Sequence, residues 1–267
     1  MMKDFWNDRV VVITGASSGI GLALLENLSQ YPCKVFALAR RANDIADPVS
    51  KHSACVITRI GVDLQDPSSI LDALTILLSK TDSIDVLFNN AGITAHGRFD
   101  ELSMEVYRKT FATNFFGPIQ LIQGLLGGLK QSKGAVVTTS TVSALYGVPG
   151  RAAYSSSKSA LHAAMESMRI ELREEGVRSS LVCVPYTETN LRKSGLDVKG
   201  NILDEGQAKA KLKTPREVAY LLMKVAQDKD ARLVTFDFSG FFMKWMRNLA
   251  PWLLEKILYK KLYHDFH

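Results

Sequence analysis

A tyrosine and a lysine form the residue pair in this sequence that is best suited to chemistry. Tyr154 and Lys158 stand four residues apart in the stretch Tyr-Ser-Ser-Ser-Lys. This spacing places both side chains on one face of a helix, about one turn apart. An ammonium close to a phenol favours the phenolate and lowers its pKa from the free value of about 10. The pair therefore predicts proton transfer to a carbonyl oxygen or from an alcohol.

A glycine-rich turn near the N-terminus could hold the cofactor that such chemistry needs. Gly15, Gly19 and Gly21 follow an apolar run and open a helical pattern. Glycine permits a tight turn and close approach of the backbone to a pyrophosphate, while the helix N-terminus supplies N–H donors. Ser17 and Ser18 can add hydroxyl donors to phosphate. Taken alone, the turn could also be an ordinary strand-to-helix corner.

The end of the second predicted strand indicates which dinucleotide the chain would bind. Arg40 and Arg41 follow this strand, and no acidic residue occurs before Asp44. NAD sites place an acid here for the ribose 2′-hydroxyl, whereas a guanidinium pairs with a 2′-phosphate through two parallel hydrogen bonds. The sequence therefore favours NADP(H), with Arg40 as the first candidate and Arg41 as the second. The alternative for either arginine is a solvated side chain.

The glycine turn and the tyrosine–lysine pair occur in this order, about 140 residues apart. On these motifs the chain resembles the classical short-chain dehydrogenase/reductase family, from about Arg9 to about Val234. The resemblance implies a Rossmann fold and an oxidoreductase that interconverts a ketone or aldehyde with an alcohol. The nicotinamide would transfer hydride while Tyr154 acts as acid or base. A non-catalytic NADP-binding sensor or scaffold of the same fold is the alternative.

The resemblance also implies a catalytic tetrad. Its members would be Asn114, a hydroxyl residue, Tyr154 and Lys158. Lys158 would hold the nicotinamide ribose in addition to tuning the phenol. Asn114 would hold a water that links Lys158 to solvent, and a helix-kink role for Asn114 is compatible with that.

Two positions depart from the family pattern. The family serine lies thirteen residues before the tyrosine, where this chain has Thr141. We expect Thr141 to orient the substrate carbonyl, with Ser140 and Ser143 as alternatives. After the sixth predicted strand the family has Pro-Gly beside the nicotinamide, whereas this chain has Pro185 followed by Tyr186. Without the conformational freedom of glycine, Tyr186 must turn its side chain away or reshape the site.

Further cofactor contacts follow from the resemblance. Asp63 would bind the adenine amino group, although it could instead cap the helix that starts at Pro67. Asn89, in Asn-Asn-Ala-Gly, would line the cofactor channel, and Asn90 would tie neighbouring strands together. The complete set of expected cofactor contacts is Gly15, Ser17, Ser18, Gly19, Ile20, Gly21, Arg40, Arg41, Asp63, Leu64, Asn89, Ala91, Gly92, Tyr154, Lys158, Pro185, Thr187 and Thr189.

Short β-branched runs alternate with longer helical patterns along the chain. Strands are predicted at 9–14, 34–39, 54–60, 85–88, 135–139, 178–184 and 231–236. Helices are predicted at 19–30, 67–80, 104–129 with an interruption near Gly117, 152–174 and 215–227. This alternation predicts an α/β fold with one doubly wound, seven-stranded parallel sheet. The Rossmann domain would span 1–237, with an irregular substrate-binding loop at 188–213, and a helical extension would span 238–267.

Composition and charge limit the classes of partner. The net charge of +6 is too small to argue for nucleic acid. Cys33, Cys55 and Cys183 form no CxxC motif, which indicates reduced core thiols and a cytoplasmic protein. The histidines show no ligand spacing, so we expect no metal. The N-terminus lacks an apolar leader. We expect a small-molecule carbonyl or alcohol substrate and a homo-oligomer, either a dimer or a tetramer.

The C-terminal segment combines large apolar side chains with bases. Residues 241–262 include Trp245 and Trp252, and they contain five basic residues and one acid. Such a pattern is typical of an amphipathic helix at an anionic membrane. Peripheral contact of 241–262 with the cytoplasmic membrane surface is one interpretation, and it would favour a lipophilic substrate, but such stripes more often pack on a protein core. The alternatives are packing on the domain core, a lid beside the active site, or a subunit contact.

Overall fold

Strands and helices alternate as the apolar periodicity predicts. The computed structural model describes residues 5–49, 52–191, 195–204, 212–236 and 238–262. The strands are β1 Val10–Thr14, β2 Lys34–Ala39, β3 Val56–Gly61, β4 Val86–Asn89, β5 Ala135–Ser140, β6 Arg178–Cys183, β7 Gly195–Leu196, β8 Ile202–Leu203 and β9 Leu233–Thr235. The α-helices are α1 Gly19–Leu28, α2 Pro67–Leu78, α3 Met104–Phe111, α4 Gly117–Ser132, α5 Ala152–Glu171, α6 Pro215–Gln227, α7 Phe238–Leu249 and α8 Pro251–Leu262.

Seven strands form one parallel sheet in the order β3-β2-β1-β4-β5-β6-β9. The chain runs outward from β1 in one direction and then restarts at β4 on the other side. In such sheets the ligand cleft lies beyond the carboxyl ends of the strands, where the order reverses. The glycine turn after β1 and the Asn-Asn-Ala-Gly segment after β4 therefore meet at this point. The predicted doubly wound fold is confirmed.

Alternate residues of each strand enter separate cores on the two faces of the sheet. Val11 and Ile13 pack with α1 and α6 on one face. Val10 and Val12 pack with α2, α4 and α5 on the other. Because successive strand side chains point to opposite faces, a strand covered on both sides must be apolar throughout. This explains why all five residues of β1 are buried.

The segment expected to be an irregular substrate loop contains a short hairpin. Within 188–213, strands β7 and β8 pair antiparallel, and β7 bridges the loop after β4 through Leu196 and Ala95. Asp197 Oδ1 accepts hydrogen bonds from the backbone of Lys199 and Asn201, each at 2.8 Å, which closes the turn. Residues 195–204 of the predicted substrate-binding loop therefore form a hairpin despite their poor periodicity, whereas 192–194 and 205–211 lie outside the described residues.

The C-terminal extension consists of α7 and α8 in its described part. Helix α7 contacts β9 and the 3-10 turn Val142–Ala144, and α8 packs on α7. Met243 of α7 and Leu254 of α8 are buried. One side of the extension therefore packs on the domain, as one of the alternatives proposed. Residues 1–4, 237 and 263–267 of the predicted domains lie outside the described residues.

A π-helical turn divides the long helical pattern predicted over 104–129. Residues Ala112–Phe116 form this turn between α3 and α4, which confirms the predicted interruption near Gly117. A Cβ atom at Gly117 would lie 2.2 Å from the carbonyl oxygen of Leu64. Only glycine lets the start of α4 approach the loop after β3 this closely. Helix α5 ends at Glu171, three residues before the predicted end at 174.

The close approach at Gly117 predicts that alanine substitution of two glycines in α4, Gly117 and Gly127, changes the stability of the protein in opposite directions. Gly117→Ala should destabilise the protein by about 1–3 kcal/mol, because the added methyl overlaps a backbone carbonyl. Gly127→Ala is the matched control, since a Cβ there meets no atom within 4 Å. It should stabilise the protein by about 0.5–1 kcal/mol. Urea unfolding measures both values, and midpoint shifts in the same direction would contradict this packing.

Candidate active site

The glycine turn precedes and opens α1 with the tight backbone geometry that an anion site would need. Gly15 and Gly19 adopt positive φ values of 71° and 55°. A Cβ at Gly21 would lie 2.1 Å from the carbonyl oxygen of Gly15. Ser18 is exposed at the N-cap of α1, and its side chain makes no capping hydrogen bond. The first N–H groups of α1 and the Ser18 hydroxyl are thus available to a phosphate.

The carboxyl ends of β1, β4 and β5 are tied together by side chains. Thr14 Oγ1 accepts from the backbone N–H groups of Asn90 and Ala91 at 2.9 and 3.0 Å. Asn90 Nδ2 donates to the carbonyl of Thr14 at 3.1 Å, and Thr139 donates to Asn90 Oδ1 at 3.2 Å. The expected strand-tying role of Asn90 is confirmed. Asn89 is buried, with Nδ2 3.5 Å from Thr138 Oγ1.

The two arginines after β2 differ in their surroundings. Both Arg40 and Arg41 are exposed. Arg41 forms an ion pair with Asp44, whereas no described carboxylate pairs with Arg40. Of the two, Arg40 is therefore the guanidinium available to an incoming anion without loss of an existing ion pair.

The remaining adenine-side candidates lie in the loop after β3. Asp63 Oδ1 accepts from Gln65 N–H at 2.9 Å, which closes a local turn. The helix cap belongs to Asp66, whose Oδ1 accepts from Ser68 N–H at 2.9 Å, so the capping alternative for Asp63 is wrong. Leu64 is buried in the core. Its contact with a cofactor would have to be through the backbone, and the same holds for the buried Ile20.

Lys158 is buried next to the cleft, one helical turn after Tyr154. Its side chain is nearly inaccessible at 4% exposure, and Nζ donates to the carbonyl of Thr139 at 3.1 Å. Burial lowers the pKa of Lys158 to about 8, because desolvation disfavours the ammonium. Tyr154 is half-buried. A Cβ at Gly92 would lie 3.4 Å from Lys158 Nζ, so this glycine leaves room beside the ammonium.

Asn114 anchors the π-helical turn to the loop after β4. Its Oδ1 accepts from Ile93 N–H, and its Nδ2 donates to Ile93 O, both at 2.9 Å. Nδ2 also lies 3.1 Å from Ser157 Oγ on α5. The structure therefore shows the helix-kink role of Asn114, which places α5 against the kink. Its water-holding role stays a prediction.

The hydroxyl candidates at the end of β5 face different surroundings. Ser140 is buried, and its Oγ lies 2.5 Å from His162 Nε2. Thr141 is half-buried at the start of the 3-10 turn, where its Oγ1 accepts from Ser143 N–H at 3.2 Å. Successive residues at a strand end point to opposite sides. The Ser140 hydroxyl is therefore bonded to His162 within the core. The Thr141 and Ser143 hydroxyls instead lie 3.2 Å from each other.

His162 is a residue of this region that the sequence reasoning missed. It lies one turn after Lys158 on the same face of α5 and is buried. Burial, followed by the positive charges of Lys158 and Arg247, lowers the pKa of His162 to about 4. The ring is thus neutral at neutral pH and adds no second cation beside Lys158. The four-residue spacing from Tyr154 to Lys158 and from Lys158 to His162 could have indicated from the sequence that His162 lies on the same helix face.

The nicotinamide-side candidates follow β6. Tyr186 is 56% exposed, so its side chain is turned outward, as the missing glycine required. Thr187 Oγ1 donates to the carbonyl of Pro185 at 2.7 Å. Thr189 lies against the glycine turn, because a Cβ at Gly19 would be 3.1 Å from Thr189 Cγ2. Thr189 is therefore next to the glycine turn, whereas the Thr187 hydroxyl is bonded locally.

Across the described residues, no group of three histidine, cysteine or acidic side chains could hold a metal. The site instead combines the glycine turn with a half-buried phenol and a buried ammonium. This combination can bind a dinucleotide and transfer a proton next to it.

Comparison with known proteins matches most of the chain to one family. Residues 9–198 match the short chain dehydrogenase family. Rat dehydrogenase/reductase SDR family member 7B is 30% identical over 271 residues, which covers 96% of this chain and 82% of the relative.

Two solved structures share the fold. A short chain dehydrogenase from Burkholderia cenocepacia J2315 in complex with NADP has a TM-score of 0.78 and 22% identity, covering 95% of this chain and 98% of that one. A 3-ketoacyl-(acyl-carrier-protein) reductase from Brucella melitensis complexed with NADH has a TM-score of 0.70 and 18% identity, covering 86% and 98%. The match over most of the chain identifies this protein as a member of the short-chain dehydrogenase/reductase family of oxidoreductases.

Proposed function

We propose that this protein is an NADP(H)-dependent oxidoreductase that interconverts a ketone or aldehyde with an alcohol. The observation that carries the proposal is the placement of Tyr154 one turn before the buried Lys158, beside the sheet's switch point. The family supports an oxidoreductase with a nicotinamide cofactor. The preference for NADP(H) and the role of Tyr154 are the finer parts of the proposal.

The residues present fit the dinucleotide. The glycine turn and Ser18 would bind the pyrophosphate, and Arg40 would pair with the 2′-phosphate. Lys158 Nζ would donate to the nicotinamide ribose in addition to the carbonyl of Thr139. When bound, the nicotinamide supplies the hydride for reduction and accepts it for oxidation.

Tyr154 and Thr141 act on the substrate oxygen in this proposal. The Thr141 hydroxyl donates to the carbonyl oxygen and fixes its position beside Tyr154. During reduction the carbonyl carbon gains the hydride and the oxygen gains the proton of the Tyr154 phenol. The Lys158 ammonium stabilises the phenolate that remains. Oxidation of an alcohol reverses each of these steps.

A lipophilic substrate is favoured by the surroundings of the cleft. Tyr186 lies at the carboxyl end of β6, Ile202 lies on the hairpin, and Phe99 lies in the loop that the hairpin contacts. All three are exposed apolar side chains. Such side chains on the segments around a cleft favour contact with an apolar ligand.

A substrate panel tests the proposed reaction. Aliphatic, aromatic and long-chain carbonyl compounds are offered with NADPH, and the matching alcohols with NADP⁺, while NADPH absorbance is followed. Turnover of at least one class supports the enzyme. Tight NADPH binding without turnover of any compound would favour the alternative, a non-catalytic sensor or scaffold.

Arg40 should set the cofactor preference. Arg40→Ala removes a charge-assisted hydrogen bond of about 1.5–3 kcal/mol, so NADPH binding should weaken about 10- to 100-fold while NADH binding stays the same. Arg41→Ala is the matched control and should have a smaller effect, because Arg41 pairs with Asp44. Titration of cofactor fluorescence measures each Kd. A parent protein that binds NADH as tightly as NADPH contradicts the assignment.

Tyr154→Phe should abolish turnover and leave NADPH binding unchanged, because the ring stays and only the transferable proton is lost. Loss of a general acid lowers the rate by about 10²–10⁴-fold. Lys158→Ala should impair both turnover and cofactor binding. The control is Tyr220→Phe, which alters an exposed tyrosine on α6. Parent-like turnover in Tyr154→Phe would rule out this mechanism.

Thr141 and Ser140 should differ in the kind of defect that their removal causes. Thr141→Ser should keep turnover, and Thr141→Val should lose most of it with an unchanged melting temperature. Ser140→Ala should keep turnover but lose about 1–3 kcal/mol of unfolding free energy, because the buried His162 ring loses its partner. Kinetics and urea unfolding of the three variants measure this. The opposite pattern would assign the substrate hydroxyl to Ser140.

A further inference from the structure

Helices α7 and α8 are apolar on two faces, and only one face packs on the domain. Met243 and Leu254 are buried on the inner side. The outer side exposes five large side chains, which we call the C-terminal surface: Phe241 at 55%, Trp245 at 53%, Leu249 at 72%, Trp252 at 68% and Tyr259 at 63%. Packing of α7 on the domain and of α8 on α7 therefore accounts for one apolar stripe, and the second stripe is exposed to solvent among the described residues.

The spacing of these residues follows the helical period on the side away from the domain. Phe241, Trp245 and Leu249 recur every four residues along α7, opposite Met243. Trp252 and Tyr259 are seven residues apart on α8, opposite Leu254. A helix side chain recurs on the same face at these intervals. Each helix thus presents an apolar outer face next to a buried inner one.

Basic side chains surround the C-terminal surface. Residues 241–262 contain five bases and the single acid Glu255, so this segment has a net charge of +4 out of +6 for the whole chain. Lys244 and Lys256 are exposed beside the aromatic side chains, and Lys260 and Lys261 are exposed at the end of α8. An occupant must therefore accept large apolar groups and supply negative charge at the same time.

From this surface we infer that the protein binds the face of an anionic lipid bilayer. Tryptophan and tyrosine favour the level of the lipid headgroups, and each nearby base adds attraction to anionic lipid. No helix in the described ranges is long and apolar enough to cross a membrane. Each of the two helices has 12 residues and is about 18 Å long, so they lie along the surface.

A second copy of the chain fits the same surface less well. A two-fold contact would place the surface of one protomer against its own copy. The exposed lysines Lys244, Lys256, Lys260 and Lys261 would then meet their own copies, with Glu255 as the single acid of 241–262, and such like-charge contacts are unfavourable. An anionic bilayer satisfies the apolar and the basic side chains together.

The proposed lipid surface lies next to the active site. Helix α7 contacts Val142–Ala144, which directly follows Thr141. Bilayer binding would therefore bring the cleft close to the membrane, where an apolar carbonyl compound partitions. Lipid binding itself does not depend on turnover, so its failure and that of the proposed reaction are separable.

Sedimentation of the full-length protein with vesicles tests the inference. We expect binding to vesicles of phosphatidylcholine mixed with phosphatidylserine, and little binding to phosphatidylcholine alone. Binding should fall as salt rises, since salt screens the attraction. Lipids with brominated acyl chains should quench Trp245 and Trp252. The third tryptophan, Trp6, is fully buried and should keep its emission, which makes it an internal reference.

Matched variants separate apolar insertion from general charge. Trp245→Ser with Trp252→Ser should remove the quenching and most of the binding. Lys256→Glu with Lys260→Glu should weaken binding by more than about tenfold, because each base contributes near the membrane. The control, Lys80→Glu with Lys229→Glu, changes two exposed lysines elsewhere by the same total charge and should bind like the parent.

Other outcomes overturn the inference. If the two double lysine variants lost vesicle binding to the same extent, binding would depend only on the net charge of the protein and not on the C-terminal surface. Failure of the parent to bind anionic vesicles contradicts the proposal directly. A dimer in light scattering that Trp245→Ser with Trp252→Ser dissociates would show that a second copy covers the surface. Should the tryptophan variant unfold, the two lysine pairs and the brominated lipids still decide the question.

Discussion

The buried ammonium of Lys158 is the constraint on which the rest of the site depends. A charged lysine inside a protein needs a partner, and the carbonyl of Thr139 supplies it. Helix α5 is placed for this contact by Asn114, which bonds both Ser157 on α5 and the loop after β4. His162 is the next polar residue on the same helix face. Burial lowers its pKa, so the ring is neutral and places no second positive charge beside Lys158.

The sheet explains why these groups meet at one place. Parallel strands present their carboxyl ends at the same edge, so Thr14, Asn90 and Thr139 can bond across three strands. The glycine turn and the β5 hydroxyls lie at that edge. The Lys158 ammonium reaches it from α5 through its hydrogen bond to the carbonyl of Thr139. Helix α7 packs against the turn after β5. The proposed lipid surface and the proposed reaction site are therefore adjacent, on either side of this turn.

Local patterns were enough to predict the fold, the glycine turn and the tyrosine–lysine pair, because each depends on residues close in sequence. The Asn90 contact between strands was predicted from the family resemblance, but several other contacts between distant segments were not. His162 meets Ser140 across the helix–sheet interface. Cys33 and Cys55 directly precede the paired residues Lys34 and Val56 of β2 and β3. Burial, and after it the neighbouring Cys55, raises the pKa of Cys33. The β7–β8 hairpin gave only a weak turn signal, the segment from Asp197 to Gly200.

The central claim is that this protein transfers hydride, and isotope transfer tests it most directly. NADPH with deuterium in both positions at nicotinamide C4 is incubated with the protein and a panel of lipophilic carbonyl compounds, and the products are analysed by mass spectrometry. We expect an alcohol with deuterium on the carbinol carbon, formed by the parent and not by Tyr154→Phe. Bound NADPH with no deuterium in any product would contradict it.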